Sequence, residues 1–173
     1  MQTPTGAKAE RLALRRLAAR QYGVFSRDQA ASLGIDGQTL RRLATAGEVS
    51  RLLPRTYRFE GAPRSENQQL SAACHWGGKG SAISHDTAGW SLGLCDRPSD
   101  IHLIRPGATK SPRPDIVIHG VDLPLCDMTA IKGIPVTTMP RTVIDMAAVC
   151  IEETVDIALD AANQAGDVEA AIP

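Results

Sequence analysis

Between residues 26 and 59 the chain places guanidinium and amide side chains at a spacing that suits contact with a polyanion. Arg27, Gln38, Thr39, Arg41, Arg42, Arg51 and Arg55 are the candidates. A guanidinium presents a planar fork of donors that matches a phosphate or the edge of a guanine. Gln38 and Thr39 stand near the start of a short helical pattern, the part of a recognition helix that approaches base edges. Arg51 and Arg55, with Arg58, flank Pro54 in a stretch rich in β-formers, and a basic hairpin of that kind suits the phosphate backbone. The competing account is a small helical subdomain whose arginines are merely solvated.

Other groupings with possible chemistry do less well. Ser84-His85-Asp86 contains the residue types of a hydrolytic triad, but neighbours at a helix start point in different directions, so capping is the expected role. His102 and His119 fall on neighbouring strand patterns near Asp100 and Asp115; without a third ligand they read as structural or solvent-facing, and no metal is expected. Pro114-Asp115 opens like a magnesium-dependent nuclease motif, yet Ala130 stands where the acid before Lys132 is required. Gly80-Ser81 lacks the acid pair of a nucleotidyltransferase, and Gly77-Gly78-Lys79 lacks the earlier glycine of a P-loop. The expectation is a protein without catalytic residues, cofactor or enzymatic activity.

The elements that would position the arginines are legible. Ser26 with Gln29 forms a capping box, Ala30, Ala31 and Leu33 give the helix that follows an apolar side, and Gly34 can end it in the left-handed conformation. Asp36 can cap a second helix reaching about Ala46, with Leu40, Leu43 and Ala44 inward and Gln38, Arg41, Arg42 and Thr45 outward. Residues 49–53 and 56–59 make a hairpin. A helix over residues 9–21, with Leu14, Leu17 and Ala18 on one side, precedes them. Helix, tight turn, helix and hairpin is the order of a winged helix-turn-helix.

The fold class expected is therefore α+β: a disordered tail over residues 1–7, the winged domain over 8–60, a linker over 61–64, and a small mixed α/β domain over 65–173. In that second part, residues 65–76 read as a helix capped by Ser65, with Leu70, Ala73 and Cys74 inward. A helix opens at 84–86, and strands are expected at 101–104 and 115–119 and within 129–137 around Gly133 and Pro135. Pro140 fits the first turn of another helix, in which Arg141 can pair with Asp145. A last helix over 152–162 and a thin tail from Asp167 complete the pattern.

The totals agree with this division. The net charge of zero conceals eleven basic against five acidic residues over 1–60, and eight against fourteen over 61–173, so +6 faces −6. That is the footprint of a nucleic-acid reader joined to a part with another task. No apolar run approaches the ~18 residues that span a bilayer, and the N-terminus lacks a signal-peptide core, so a cytoplasmic protein without membrane contact is expected. Cys74, Cys95, Cys126 and Cys150 have no metal-ligand spacing and read as reduced, buried hydrophobes.

The stretch RRLAARQYGVFSRDQAASLGIDGQTLRRLATAGEVSRLLPRTYRF resembles the N-terminal domain of AbiEi-type antitoxins. SAISHDTAGWSLGL, DIHLIRP and GIPVTTMPRTVIDMA resemble motifs of that family in the same order. The resemblance implies the antitoxin of a type IV toxin–antitoxin system. Its winged domain would bind double-stranded DNA at inverted repeats in its own promoter as an autorepressor. Its C-terminal part would oppose a nucleotidyltransferase toxin without a stable complex. By position Gln38, Thr39, Arg41 and Arg42 would lie at the DNA, with Arg51 and Arg55 on the wing. Pro54-Arg55 stand where the family often has a glycine. Many relatives continue into a nuclease-like domain, so the resemblance implies a truncated chain or one that is only a regulator. A stand-alone winged-helix regulator without a toxin, and a degenerate nuclease-related or dimerisation module, are the alternatives.

Overall fold

The computed structural model describes residues 4–108 and 113–170 and divides the chain into two compact units, Met1–Trp76 and Gly77–Pro173. In the first unit, α1 (Pro4–Ala19) is followed by β1 (Val24–Ser26), α2 (Arg27–Ser32), α3 (Gly37–Thr45), β2 (Val49–Leu53), β3 (Thr56–Phe59) and α4 (Glu66–Gly77). The sheet has the order β1-β3-β2 and is antiparallel throughout. This is the winged helix-turn-helix order, with a third strand that the residue pattern did not announce.

Local chemistry explains most of the boundaries. The Gln29 N–H donates to Ser26 Oγ at 3.1 Å and the Ser26 N–H to Gln29 Oε1 at 2.9 Å, so the capping box is complete. Gly34 has φ +84°, a conformation open to glycine without a Cβ penalty, and this turns the chain between α2 and α3. The Thr39 N–H donates to Asp36 Oδ1 at 2.7 Å and caps α3. Leu40 and Leu43 of α3 enter a core with Leu14, Ala18, Phe25, Ala30, Ile35 and Val49, closed from the sheet side by Tyr57 and Phe59. The rings of Phe25 and Tyr57 stack at 5.8 Å.

Several expectations are corrected. Helix α1 begins at Pro4, whose fixed φ suits a first helical turn, so residues 4–7 are not a disordered tail; residues 1–3 lie outside the described residues. Ala31 and Ala44 are exposed, because the buried stripe of each short helix is narrower than its apolar residues. Helix α4, expected in the second domain, groups with the first unit: Gln68 Nε2 donates to the Tyr22 carbonyl at 2.8 Å and Ser71 Oγ to that of Gln21. Its cap is the expected one, with the Gln68 N–H on Ser65 Oγ at 3.1 Å.

The second unit contains β4 (Ala82–Ile83), α5 (His85–Leu92), β5 (Ile101–Ile104), β6 (Ile116–His119), β7 (Met128–Ile131), β8 (Ile134–Thr137), α6 (Met139–Met146) and α7 (Glu152–Ala170). Its mixed sheet has the order β6-β5-β4-β8-β7, with β5–β6 and β4–β8 parallel. Strands β7 and β8 form the expected pair around Lys132-Gly133, both at positive φ as a two-residue hairpin turn requires. Helix α6 carries proline in its first turn, as its sequence suggests, and α7 runs on to Ala170 where a tail was expected from Asp167. Leu94, Met146 and Ala158 form a core between α5, α6 and α7, and Leu159, next to Ala158, is exposed. Gly89 lets α5 approach α6, since a Cβ there would lie 2.7 Å from Met146 Sδ. The cysteines are free thiols, but Cys126 is exposed rather than buried.

Candidate nucleic-acid interface

Helix α3 presents its polar side outward as the spacing of Leu40 and Leu43 demands. Gln38, Arg41 and Arg42 are exposed and, with Thr45 and Ala46, line one shallow groove. Thr39 is half-buried, its N–H held by Asp36. That bond is also the main reason the Asp36 carboxyl sits below its usual range. Arg41 Nε donates to the Gly37 carbonyl at 3.3 Å, which lays the side chain back along the first turn of the helix.

Two residues from outside α3 extend this surface. Arg27, exposed at the start of α2, brings its guanidinium to the α3 N-terminus: a Cβ at Gly37 would stand 3.1 Å from Arg27 Nη2. Its backbone N–H donates to the Arg55 carbonyl at 2.8 Å, joining α2 to the hairpin tip. Arg55 takes φ +62° after Pro54 and so fills the turn position where a glycine is usual. Its Nη2 stands 2.6 Å from Asp28 Oδ1. Arg51 is exposed on β2, with Nε 3.4 Å from the Leu53 carbonyl.

Arg58 does not belong to this surface. It is 5% exposed, donates to Ser50 Oγ at 3.1 Å and pairs with Glu60 at 2.8 Å, so it is an internal tie of the hairpin. Arg11 and Arg15 both reach Glu48, and Arg15 also lies over the Phe59 ring at 4.9 Å. The bond from Arg11 is the chief cause of a lowered Glu48 carboxyl pKa. Part of the +6 of this region is therefore spent within the fold. Asp28, which the residue pattern did not single out, sits among the candidate cations as a counter-charge.

The arrangement can donate hydrogen bonds from one helix face, one helix start and one hairpin tip. Residues 13–59 match the family described as transcriptional regulator, AbiEi antitoxin. The match covers the three strands and both helices of the turn, and thus every one of the seven candidate residues. The chain is also similar to the crystal structure of the RV2827C protein from Mycobacterium tuberculosis, with 17% identity over 92% of this chain and 72% of that one, at a TM-score of 0.47. No curated protein matches. Among the described residues no helix is long and apolar enough to cross a membrane.

The second unit bears out one motif reading and overturns another. Arg141 Nε donates to Asp145 Oδ1 at 2.9 Å as expected of an i,i+4 pair, and its Nη1 also reaches Asp127 at 3.2 Å. Ser84 does not cap α5 with its side chain. His85 has φ +53°, which swings its ring back so that Nδ1 lies 2.9 Å from Ser84 Oγ, although adjacent residues were expected not to meet. Ser84 is fully buried, so the contact fixes the imidazole rather than arming a nucleophile.

Proposed function

We propose that this protein is a DNA-binding transcriptional regulator that represses its own promoter as the antitoxin of a type IV toxin–antitoxin system. The observation that carries this reading is the outward face of α3, where Gln38, Arg41 and Arg42 stand together with Arg27 at the helix start, inside the region matched to the antitoxin regulators. In the reading, α3 lies in the major groove with Gln38 and Arg41 toward base edges, while Arg27, Arg42, Arg51 and Arg55 hold phosphates. The acidic second unit takes no part in DNA contact, and the functional partner is a nucleotidyltransferase toxin opposed without a stable complex.

The test is a mobility shift on the DNA upstream of the gene, with scrambled DNA as control and a salt titration. Selective retardation whose log affinity falls with log salt at a slope of about −0.9 per phosphate neutralised is the expected result. Retardation of neither DNA overturns the reading. The antitoxin half is tested by co-expression with a nucleotidyltransferase encoded beside it: restored growth supports that half, and unrelieved toxicity removes it.

A further inference from the structure

The pairing of the second unit's sheet gathers three histidines that lie far apart in sequence. In the parallel pair, His102 is opposite Val117 and Ile104 opposite His119, so His102 and His119 share one face two residues apart. Ile83 of β4 is opposite Leu103, and the next N–H, of Ser84, donates to the His102 carbonyl at 3.0 Å. The chain then turns through the left-handed His85, which drops its ring onto that of His119 with centroids 3.6 Å apart. One ring nitrogen of each of the three residues lies within 4.8 Å of the others. His119 Nε2 and His102 Nδ1 are 3.2 Å apart, and Asp86 Oδ1 stands 3.7 Å from the same His102 Nδ1. That carboxylate oxygen is buried and has no hydrogen-bond partner.

We propose that the second unit binds one divalent transition-metal ion of the zinc class through His85, His102 and His119, with Asp86 Oδ1 as the fourth ligand. Four donors at ~2.0–2.2 Å from a tetrahedral ion stand roughly 3.3–3.5 Å from one another. The His102–His119 separation of 3.2 Å is close to that value; Asp86, 3.7 Å from His102 Nδ1, stands outside the set of three nitrogens, so its carboxylate and the stacked His85 and His119 rings turn inward on binding. A buried carboxylate oxygen without a donor is costly alone and is relieved by a cation. Ser84 Oγ beside His85 Nδ1 supplies the outer hydrogen bond that fixes a ligating ring. Arg141 bears on the cluster electrostatically, and its charge is met by Asp127 and Asp145. Imidazoles with one carboxylate select zinc-class ions over magnesium or calcium.

The experiment is a cobalt(II) titration of the full-length protein after chelation, read by its visible absorption, with zinc added to displace it. One equivalent giving tetrahedral d–d bands without thiolate charge transfer is expected, as is a zinc-dependent rise in melting temperature. His119→Gln and Asp86→Asn should each lower affinity at least ~10-fold, and His102→Ala should abolish the bands. His119 lies half-exposed on the edge strand β6, so His119→Gln keeps the test intact if His102→Ala does not fold. Absent d–d bands, thiolate bands from the free cysteines, or undiminished affinity in His119→Gln would each overturn the proposal.

Discussion

The guanidinium of Arg55, at the tip of the wing, is held by the carboxylate of Asp28 in the first turn of α2, with Nη2 2.6 Å from Oδ1. Both side chains are largely exposed, 65% and 77%, so the pair adds under about 1 kcal/mol to stability. Its effect falls on charge: an acid stands beside a cation that the proposed interface needs. Asp28→Asn is expected to leave the melting temperature within a degree or two of wild type and to tighten DNA binding several-fold at low salt. The gain should fade as salt rises. A filter-binding series over salt concentration measures both.

Arg41 and Arg42 are adjacent on α3 but differently held, since Arg41 Nε is bonded to the Gly37 carbonyl and lies along the first turn. Alanine at either should weaken operator binding, by about 1–3 kcal/mol where the guanidinium reads a base. Arg42→Ala, if it removes a phosphate contact, should weaken all sequences alike and reduce the salt slope by about one. Unchanged affinity in both variants would remove α3 as the recognition helix.

Arg55 also stores backbone strain. A non-glycine residue at φ +62° costs on the order of 1 kcal/mol relative to glycine. Arg55→Gly should therefore raise the unfolding free energy of the winged unit by up to about 1 kcal/mol while weakening DNA binding. Stability and affinity moving in opposite directions, by chemical denaturation and mobility shift, is the signature; a variant that loses both would contradict it.

Gly89 is fixed by packing rather than by φ. A Cβ would stand 2.7 Å from Met146 Sδ and 3.0 Å from Cys95 Sγ, and Met146 is fully buried. Gly89→Ala should cost about 1–3 kcal/mol by overpacking, confined to the second unit. Calorimetry should show that unit's transition lowered and the DNA affinity of the winged unit intact.

The histidines give a pH dependence of definite sign in metal-free protein. Burial, first, and the neighbouring imidazoles and Arg141 hold His85 at about 3 against an ordinary 6.5, and His119 is lowered by the same main cause. The unfolded chain thus binds more protons below pH 6.5, so stability is complete above that value and falls as the pH drops toward 3. His75, lowered by its burial in α4, acts in the same sense, so a His75→Gln background removes its contribution. Thermal midpoints between pH 7.5 and 4.5 should fall on acidification; a flat profile in that background would contradict the burial of His85.

How much of this was legible in the residues follows from how local each feature is. The capping box of Ser26 and Gln29, the Asp36 cap, the Gly34 turn and the Arg141–Asp145 pair depend on residues three or four apart, and all were readable. Strand β1 was not, because Val24, Phe25 and Ser26 become a strand only by pairing with Arg58, Tyr57 and Thr56. Arg58 likewise looks like a surface cation until Ser50 across the hairpin, Glu60 and the Ala62 carbonyl close around it. His102 and His119 were seen as neighbours but lacked a third partner. His85 joins them through strand register and one left-handed residue, neither of which a spacing rule records.

The uneven exposure of the four thiols gives the molecule a built-in attachment point. Cys126 is exposed, whereas Cys74 is buried and burial pushes the Cys95 thiol up to about 11 and raises Cys150. Only a thiolate alkylates readily, so a maleimide dye at neutral pH should mark Cys126 first, with no engineered cysteine. That label sits in the unit that does not contain α3, and its fluorescence anisotropy would report DNA capture without touching a residue of the proposed interface.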